Sequence, residues 1–362
     1  MKKYKQVLLF AVAMPALINA QAAGPFNKKP TFVAGDILES AYDGVIDDLL
    51  TGGLGKTGLK DGSPAPVFAD PENPTDAELR RLAIYNNYRA LVPTEIGNGY
   101  GVFFGPNIAA DGTDTGTDGL VAGTEYLAFA DNGRSGKKNV TLMVQVPETF
   151  DEDAPCIVTA PSSGSRGIYG AIGTAGEWGL RNGCAVAYTD KGSGTGAHSL
   201  EVDTVSTITG QRQDAGAAGK NSHFTARVND PQRDAFNADT PNRFAFKHAH
   251  SQQNPETDWG KNVLQSIELA FYVLNERYGD PAPNGKIVRT INPDNTIVIA
   301  SSVSNGGGAS VRAAEQDKER WIDGVAVSEP NVNPVYQTSA SSRAPAPRFS
   351  ITAAAFTTTR PC

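Results

Sequence analysis

The feature that most constrains this chain is an apolar segment that runs directly into serines and glycines. Residues 297–308 have the sequence IVIASSVSNGGG, and helix-forming residues follow at 309–316. A serine flanked by small residues between a strand and a helix is typical of the tight turn called a nucleophile elbow. The pattern is Ser302-x-Ser304-x-Gly306, with serine in place of the usual first glycine. Ser304 is therefore the candidate nucleophile, and the alternative is a glycine-rich turn whose serine only caps the helix.

The first 22 residues have the three parts of a secretory signal peptide. Lys2, Lys3 and Lys5 precede an apolar run at 7–18, and small residues before Ala23 form a cleavage pattern. The apolar run is too short to span a membrane. The sequence therefore predicts an exported protein, extracellular or periplasmic, and no membrane partner.

The charge of the chain argues against nucleic acid as a partner. The formal charge is −7, and removing the three leader lysines leaves −10. So acidic a protein has no basic stripe for nucleic acid or anionic lipid. The remaining residues, about 340 of them, are ample for a buried core in one large α/β domain or in two smaller domains.

Three cysteines are too few for a disulfide scaffold but suit an exported enzyme with one bridge. Cys156 and Cys184 each precede a short apolar strand, and if these strands are parallel neighbours a disulfide can join them. We therefore expect a Cys156–Cys184 bridge with Cys362 free, and the alternative is two small buried residues. The sequence has no CxxC, HExxH or clustered Cys/His spacing, so it predicts no metal and no cofactor.

Short apolar strands alternate with helices in the second half of the chain. A helix is predicted at 258–278, with its apolar residues on one face. The predicted strands are at 125–130 and 139–146, which form a hairpin, and at 157–160, 185–188, 297–303 and 323–328. This alternation predicts a mostly parallel sheet covered on both faces. The order agrees with the α/β-hydrolase fold, in which the fifth strand carries the nucleophile.

The remaining chain is divided by composition. The N-terminal region is rich in Gly, Pro and Asp and has one predicted helix, which begins at a capping box of Thr75 and Glu78. The predicted boundaries are a signal peptide at 1–22, an irregular N-terminal region at 23–123, an α/β-hydrolase-like catalytic domain at 124–334 with an insertion at 191–256, and an atypical low-complexity tail at 335–362.

An acyl-transfer site needs a nucleophile, a base, an orienting acid and N–H donors for the oxyanion. The backbone N–H of Asn305 is one candidate donor, and the second is expected near Ser163 and Gly164 in the loop after the third strand. All four histidines precede Ser304, whereas this fold places its histidine after the serine.

The base therefore has no obvious candidate in the expected place. His248 and His250 could reach the site from the insertion, although polar loop histidines often serve only in packing or hydrogen bonding. Glu329 could orient a base, or could be a solvated carboxylate at a strand end. We find no further strand after Ser328. The sequence thus predicts a truncated chain that lacks the last strands, the catalytic acid and the histidine, and the activity of this chain stays open.

Several segments resemble the secreted 3-hydroxybutyrate oligomer hydrolases. They are TGGLG at 51–55, IYNNYRAL at 84–91, VTLMVQVP at 140–147, SSGSRG at 162–167, YTDKG at 188–192, KHAHSQ at 247–252 and SNGGG at 304–308. The resemblance extends over about residues 40–334. It implies hydrolysis of ester bonds in soluble D-3-hydroxybutyrate dimers and oligomers, with Ser304 as the nucleophile and no cofactor. A related esterase for aromatic or plant-wall esters, and a non-catalytic relative that binds without turnover, are the alternatives.

Overall fold

The computed structural model describes residues 25–131, 136, 138–193, 195–248 and 254–332. The predicted signal peptide, the predicted tail and His250 lie outside these residues. Among the described helices, none has both the length and the apolar character that crossing a bilayer requires.

The strands and helices are numbered in chain order. The strands are β1 (Val33–Tyr42), β2 (Gly123–Ala130), β3 (Val140–Pro147), β4 (Cys156–Pro161), β5 (Ala185–Thr189), β6 (His198–Ser199), β7 (Thr204–Ser206), β8 (Arg212–Asp214), β9 (Phe244–Ala245), β10 (Ile297–Val303) and β11 (Gly324–Ser328). The helices are α1 (Gly55–Leu59), α2 (Asp76–Leu91), α3 (Glu177–Arg181), α4 (Ala215–Ala218), α5 (Asp230–Asp239), α6 (Trp259–Tyr278) and α7 (Ser304–Gln316).

One seven-stranded sheet organises the fold, in the order β1-β2-β3-β5-β4-β10-β11. The pairs β1/β2, β2/β3 and β3/β5 are antiparallel, whereas β5/β4, β4/β10 and β10/β11 are parallel. All six predicted strands are present, and β2 and β3 form the predicted hairpin. The carboxyl ends of β4, β5, β10 and β11 consequently meet at one edge of the sheet, which is where ligands bind in open α/β sheets.

The prediction of a mostly parallel sheet was wrong, because half of the pairings are antiparallel. The difference comes from β1, which lies in the region predicted to be irregular with one helix. Its side chains are mostly exposed, and its register shifts between Ala34 and Leu38, next to Gly35 with a φ of 67°. A strand with a bulge and an exposed face lacks the apolar alternation by which strands are recognised.

Both faces of the sheet are covered, as the strand pattern predicts. The side chains of Leu142, Val144 and Ile157 pack in one buried cluster with residues of α6. The neighbouring side chains Met143 and Val158 point to the opposite face and pack in a second cluster with residues of α2. Alternate residues of each strand are thus buried on opposite faces, which explains why the central strands are apolar throughout.

Helix α2 begins at its predicted capping box, and α6 has nearly its predicted bounds. The side-chain oxygen of Thr75 accepts a hydrogen bond from the Glu78 backbone N–H, and Glu78 reciprocates at the start of α2. This capping box satisfies two N–H groups that have no partner within the helix. Helix α6 spans Trp259–Tyr278 and buries one long face. It packs on the main sheet and on α7, so it helps to fix the position of the strand that precedes Ser304.

The segment between β5 and α6 contains a second, smaller sheet in the order β8-β7-β6-β9, together with α4 and α5. Its strands have two or three residues each. Strands this short give no period for sequence reasoning to detect, and the region was predicted only as a polar insertion.

Cys156 and Cys184 form a disulfide with a Cα–Cα distance of 4.8 Å. Cys156 is the first residue of β4, and Cys184 directly precedes β5, its parallel neighbour. The arrangement is the one expected from the sequence. Cys362 lies outside the described residues.

Candidate active site

Ser304 is the first residue of α7 and directly follows β10. Strand β10 lies between β4 and β11, which are both parallel to it. The φ angle of Ser304 is 56°, in the left-handed region that residues other than glycine rarely adopt. Such a strained conformation between a strand and a helix is the geometry of a nucleophile elbow. A serine that merely capped the helix would have an extended backbone conformation. In this structure the extended residue at the start of the helix is Val303, with a φ of −127°.

The small residues around Ser304 are required by close backbone contacts. A Cβ added to Gly306 would lie 2.2 Å from the carbonyl oxygen of Pro161 and 2.4 Å from the Ser302 hydroxyl. A Cβ added to Gly308 would lie 2.2 Å from the Asn331 carbonyl oxygen. Because real Cβ atoms do not approach so closely, only glycine fits at these positions.

Ser302 replaces the first glycine of the usual motif, and its side chain has a structural role. Its hydroxyl donates a 2.7 Å hydrogen bond to the carbonyl oxygen of Pro161, and the side chain is buried. The bond joins the end of β10 to the end of β4. The departure from the motif therefore strengthens the contact between the elbow and the loop that follows β4.

The structure brings Asn305 and Gly164 together, although they are far apart in the chain. Gly164 has a φ of 81°, and a Cβ added to it would lie 3.4 Å from Oδ1 of Asn305. Asn305 lies in the first turn of α7, where backbone N–H groups have no partner within the helix. The positive end of the helix dipole also favours negative charge at this place. The loop after β4 and the amino end of α7 thus meet at Gly164 and Asn305.

Hydrogen bonds within the loop at residues 162–171, and one to the end of β5, hold the loop in place. The Ser162 hydroxyl donates to the Gly164 carbonyl oxygen at 2.8 Å, and the Ser162 backbone N–H donates to Thr189 at 2.9 Å. Nε of Arg166 donates to the carbonyl oxygen of Ser163 at 3.1 Å. A donor on a loop fixed in this way costs little reorganisation when a substrate binds.

A cavity of about 700 Å³ lies beside this loop, between β1, β2, α2 and the segment that contains the small sheet. This volume lies within the roughly 300–1,000 Å³ typical of small-molecule sites. Apolar side chains such as Leu127 and Ile168 line it, and Arg166, Tyr169 and His223 contribute polar groups. No sequence pattern predicted the cavity, because its walls come from distant parts of the chain.

Arg80 and Glu125 form a buried ion pair in the wall of the cavity. Nε and Nη2 of Arg80 each lie 3.2 Å from an oxygen of Glu125, and both side chains are less than 10% exposed, at 7% and 2%. The Tyr169 hydroxyl and Nε2 of Gln145 each donate to Glu125 at 2.8 Å. Burial and the nearby carboxylate raise the pKa of Tyr169 well above its ordinary value, so it remains a donor. Tyr169 thus joins the loop at 162–171 to the ion pair.

One of the described histidines, His198, already uses both of its ring nitrogens. Nε2 of His198 lies 2.9 Å from Asp203, and its Nδ1 accepts the Ala226 backbone N–H at 3.0 Å. With both ring nitrogens engaged, His198 has none left for a serine hydroxyl. His248 is described and His250 is not, so their role as base stays a prediction. Glu329 is exposed directly after β11.

His223 lines the cavity and is held neutral by its surroundings. Its Nδ1 lies 3.3 Å from the Thr141 hydroxyl and 4.0 Å from the Asp190 carboxylate. Burial, with a smaller effect of the Lys247 cation, lowers the pKa of His223 to about 3. The imidazole is therefore uncharged at neutral pH and forms no ion pair with Asp190. Burial also lowers the pKa of Lys247 to about 8 and raises that of Asp190.

We expect His223 to make the folded state sensitive to acid. Between pH 6.5 and about 3 the unfolded state binds a proton at this histidine and the folded state does not. The free energy of unfolding should therefore fall as the pH drops below 6.5, by on the order of a few kcal/mol in total. The raised pKa of Asp190 opposes this, because the folded state holds the proton of this carboxyl group up to a higher pH than the unfolded state does. Urea unfolding from pH 7 to pH 4 should show a smaller loss for His223→Gln than for the unchanged protein, and equal losses would contradict the assignment.

No group of three or more His, Cys, Asp or Glu side chains is placed to hold a metal ion in the part of the chain that the structure describes. The expectation that no metal or cofactor is needed stays a prediction.

The comparison with known families agrees with the resemblance seen in the sequence. The family model described as "3HB-oligomer hydrolase (3HBOH)" matches residues 13–355, nearly the whole chain. The chain belongs to this family. No solved structure matches it.

Curated relatives support the same assignment. A protein of Polaromonas sp. (strain JS666 / ATCC BAA-500), named D-(-)-3-hydroxybutyrate oligomer hydrolase, is 57% identical over 92% of this chain and 47% of its own length. Proteins with the same name from Polaromonas naphthalenivorans (strain CJ2) and Burkholderia ambifaria are 61% and 54% identical, over 84% and 94% of this chain and 43% and 50% of their own lengths. The chain thus spans about half the length of the curated relatives that it matches.

Proposed function

We propose that this chain carries the nucleophile and the oxyanion hole of a serine esterase that hydrolyses 3-hydroxybutyrate dimers and oligomers to the monomer, in the degradation of poly(3-hydroxybutyrate). One observation carries the proposal, namely the left-handed conformation of Ser304 between β10 and α7. The substrate class comes from the names of the relatives. The binding partner that we propose for this chain is accordingly a small-molecule ester, its substrate.

We further propose an α/β-hydrolase arrangement. From β2 onward the spatial order of the sheet is β2-β3-β5-β4-β10-β11, so the fourth strand of this set lies between the second and the third. This order, and an elbow on the fifth strand of the set, support the assignment. The proposal includes the boundaries predicted from the sequence, with the catalytic domain at 124–334 and its insertion at 191–256.

In the proposed reaction the Ser304 hydroxyl oxygen attacks the ester carbonyl carbon while a base removes its proton. The carbonyl oxygen becomes an oxyanion and accepts hydrogen bonds from the backbone N–H groups of Asn305 and Gly164. Collapse of this intermediate breaks the ester bond, and the departing alkoxide takes up the proton. Water then attacks the acyl-enzyme, releases the acid and restores Ser304.

We also propose that the protein is exported. The lysines and apolar run at 2–18 and a structural disulfide suit an oxidising compartment. Cleavage of the exported chain before Ala23, seen by N-terminal sequencing, is the measurable consequence, and an uncleaved chain would oppose it.

The substrate class is tested by comparing two kinds of ester. The protein should hydrolyse the dimer of D-3-hydroxybutyrate with a much higher kcat/KM than an aromatic ester such as ethyl ferulate, as measured by release of acid in a pH-stat. The reverse preference would favour an esterase of aromatic or plant-wall esters. Binding of the dimer without turnover would favour a non-catalytic relative.

A further inference from the structure

Two arginines line the cavity beside the loop at residues 162–171, and they differ in what their guanidinium groups contact. Arg80 donates to Glu125, to Asp47 at 2.9 Å and to the Asp48 carbonyl oxygen at 2.9 Å, so its donors are used within the protein. Arg166 donates through Nε to Ser163, and it forms no ion pair with any residue that the structure describes. Its two terminal nitrogens make no hydrogen bond there either.

Arg166 lines the cavity and belongs to the loop that approaches Asn305, whereas Ser304 and Asn305 are not among the lining residues. It lies two residues after Gly164, the residue that approaches Asn305, and it lines the cavity together with Gly167 and Thr195. Its side chain is exposed, so it stands at the cavity opening. The bond from Nε to Ser163 fixes one edge of the planar guanidinium and leaves the other edge for a ligand.

The charged side chains that line the cavity are two arginines and three carboxylates, beside a neutral histidine. Glu125, which also lines the cavity, is neutralised by Arg80. The other acidic lining residues, Glu39 and Asp76, belong to β1 and α2 and not to the loop of Arg166. His223 lines the cavity as a neutral imidazole. Arg166 is thus the one lining cation among the described residues that is not already paired.

We propose that Arg166 binds the free carboxylate of the substrate and makes the site selective for short hydroxyacid oligomers over esters whose carboxyl group is blocked. A planar guanidinium edge matches a carboxylate in a bidentate pair. A hydroxybutyrate oligomer has one free carboxylate, at its end, and methyl-bearing hydrocarbon that suits the apolar lining of the cavity. This inference rests on the proposed function, because it names the group that the same site recognises.

The test compares the hydroxybutyrate dimer with its methyl ester, in which the carboxylate is blocked. In Arg166→Gln the ratio of kcat/KM for the acid to kcat/KM for the methyl ester should fall about tenfold, mainly through the KM of the acid. Arg166→Lys keeps the positive charge but lacks the paired N–H donors of a guanidinium group, so its ratio should lie between those of Arg166→Gln and the unchanged protein. Arg227→Gln, at an exposed arginine that does not line the cavity, should keep the original ratio.

A binding measurement separates this inference from the proposed function. Calorimetric titration of Ser304→Ala with D-3-hydroxybutyrate, and of the double variant Ser304→Ala/Arg166→Gln, should show about tenfold weaker binding in the double variant, whether or not the protein turns over esters. An unchanged ratio together with unchanged binding would overturn the role of Arg166. An equal loss for both substrates would also overturn it, because Arg166 would then only shape the loop. Absence of any ester hydrolysis would count against the proposed function, while the titration would still decide the carboxylate site.

Discussion

Replacement of Ser304 by alanine should lower kcat for the hydroxybutyrate dimer by roughly 10⁴- to 10⁶-fold, the range seen when a nucleophile is removed. The variant loses the oxygen that we propose forms the acyl-enzyme, but it keeps both proposed oxyanion donors and the cavity. Its side chain is only partly buried, so the midpoint of urea unfolding should stay nearly unchanged. Steady-state kinetics and unfolding on the same preparation give both results.

Ser302→Ala is the matched control, since it removes a hydroxyl two residues away in the same turn. That hydroxyl bonds to Pro161 within the fold, so its loss should cost about 1 kcal/mol of stability and leave turnover within a few-fold. If Ser304→Ala kept most of the activity and Ser302→Ala lost it, the nucleophile would have been assigned to the wrong serine.

The largest effect on stability is expected from Glu125→Ala. This change leaves the Arg80 guanidinium buried without its bidentate partner, and it removes the acceptor of Tyr169 and Gln145. Breaking a buried pair in this way typically costs about 3–5 kcal/mol. Denaturant unfolding at pH 7 measures the loss, and a cost below about 1 kcal/mol would show that the pair does not hold this part of the fold.

Two further variants show whether the loss comes from the unpaired charge. Arg80→Met/Glu125→Leu removes both charges at similar volume and should be much less destabilising than Glu125→Ala alone. Glu315→Ala breaks an exposed pair with Arg312, whose side chains are 57% and 51% exposed, and should change stability by less than about 1 kcal/mol. Similar losses in all three variants would contradict a specific role for the buried pair.

The parts of the fold that follow from local pattern could be predicted from the sequence. Helix α6 was predicted because its apolar residues repeat with the helical period over five turns. The disulfide followed from two cysteines at the starts of adjacent parallel strands. β1 was missed, because its mostly exposed, bulged residues have no such pattern. The small sheet was missed because its strands are too short.

In the candidate site, too, only the features that have a local sequence pattern could be predicted. The spacing around Ser304 predicted a tight strand-to-helix turn, because such a turn imposes small residues close in sequence. The pair of Arg80 and Glu125, 45 residues apart, left only one trace, a charged residue at the start of a buried strand. The cavity left none, because its shape depends on how β1, α2 and the loop of Arg166 pack together. Tertiary contacts of this kind have no period in the sequence.

The most direct test of the account is covalent labelling of the folded protein with a fluorophosphonate, followed by mass spectrometry of its peptides. The left-handed turn at Ser304 and the proposed donors of Asn305 and Gly164 predict a single adduct at Ser304. The adduct should be absent from Ser304→Ala and formed more slowly in the presence of the hydroxybutyrate dimer. No adduct, or an adduct at another serine while Ser304 stays unmodified, would contradict the account.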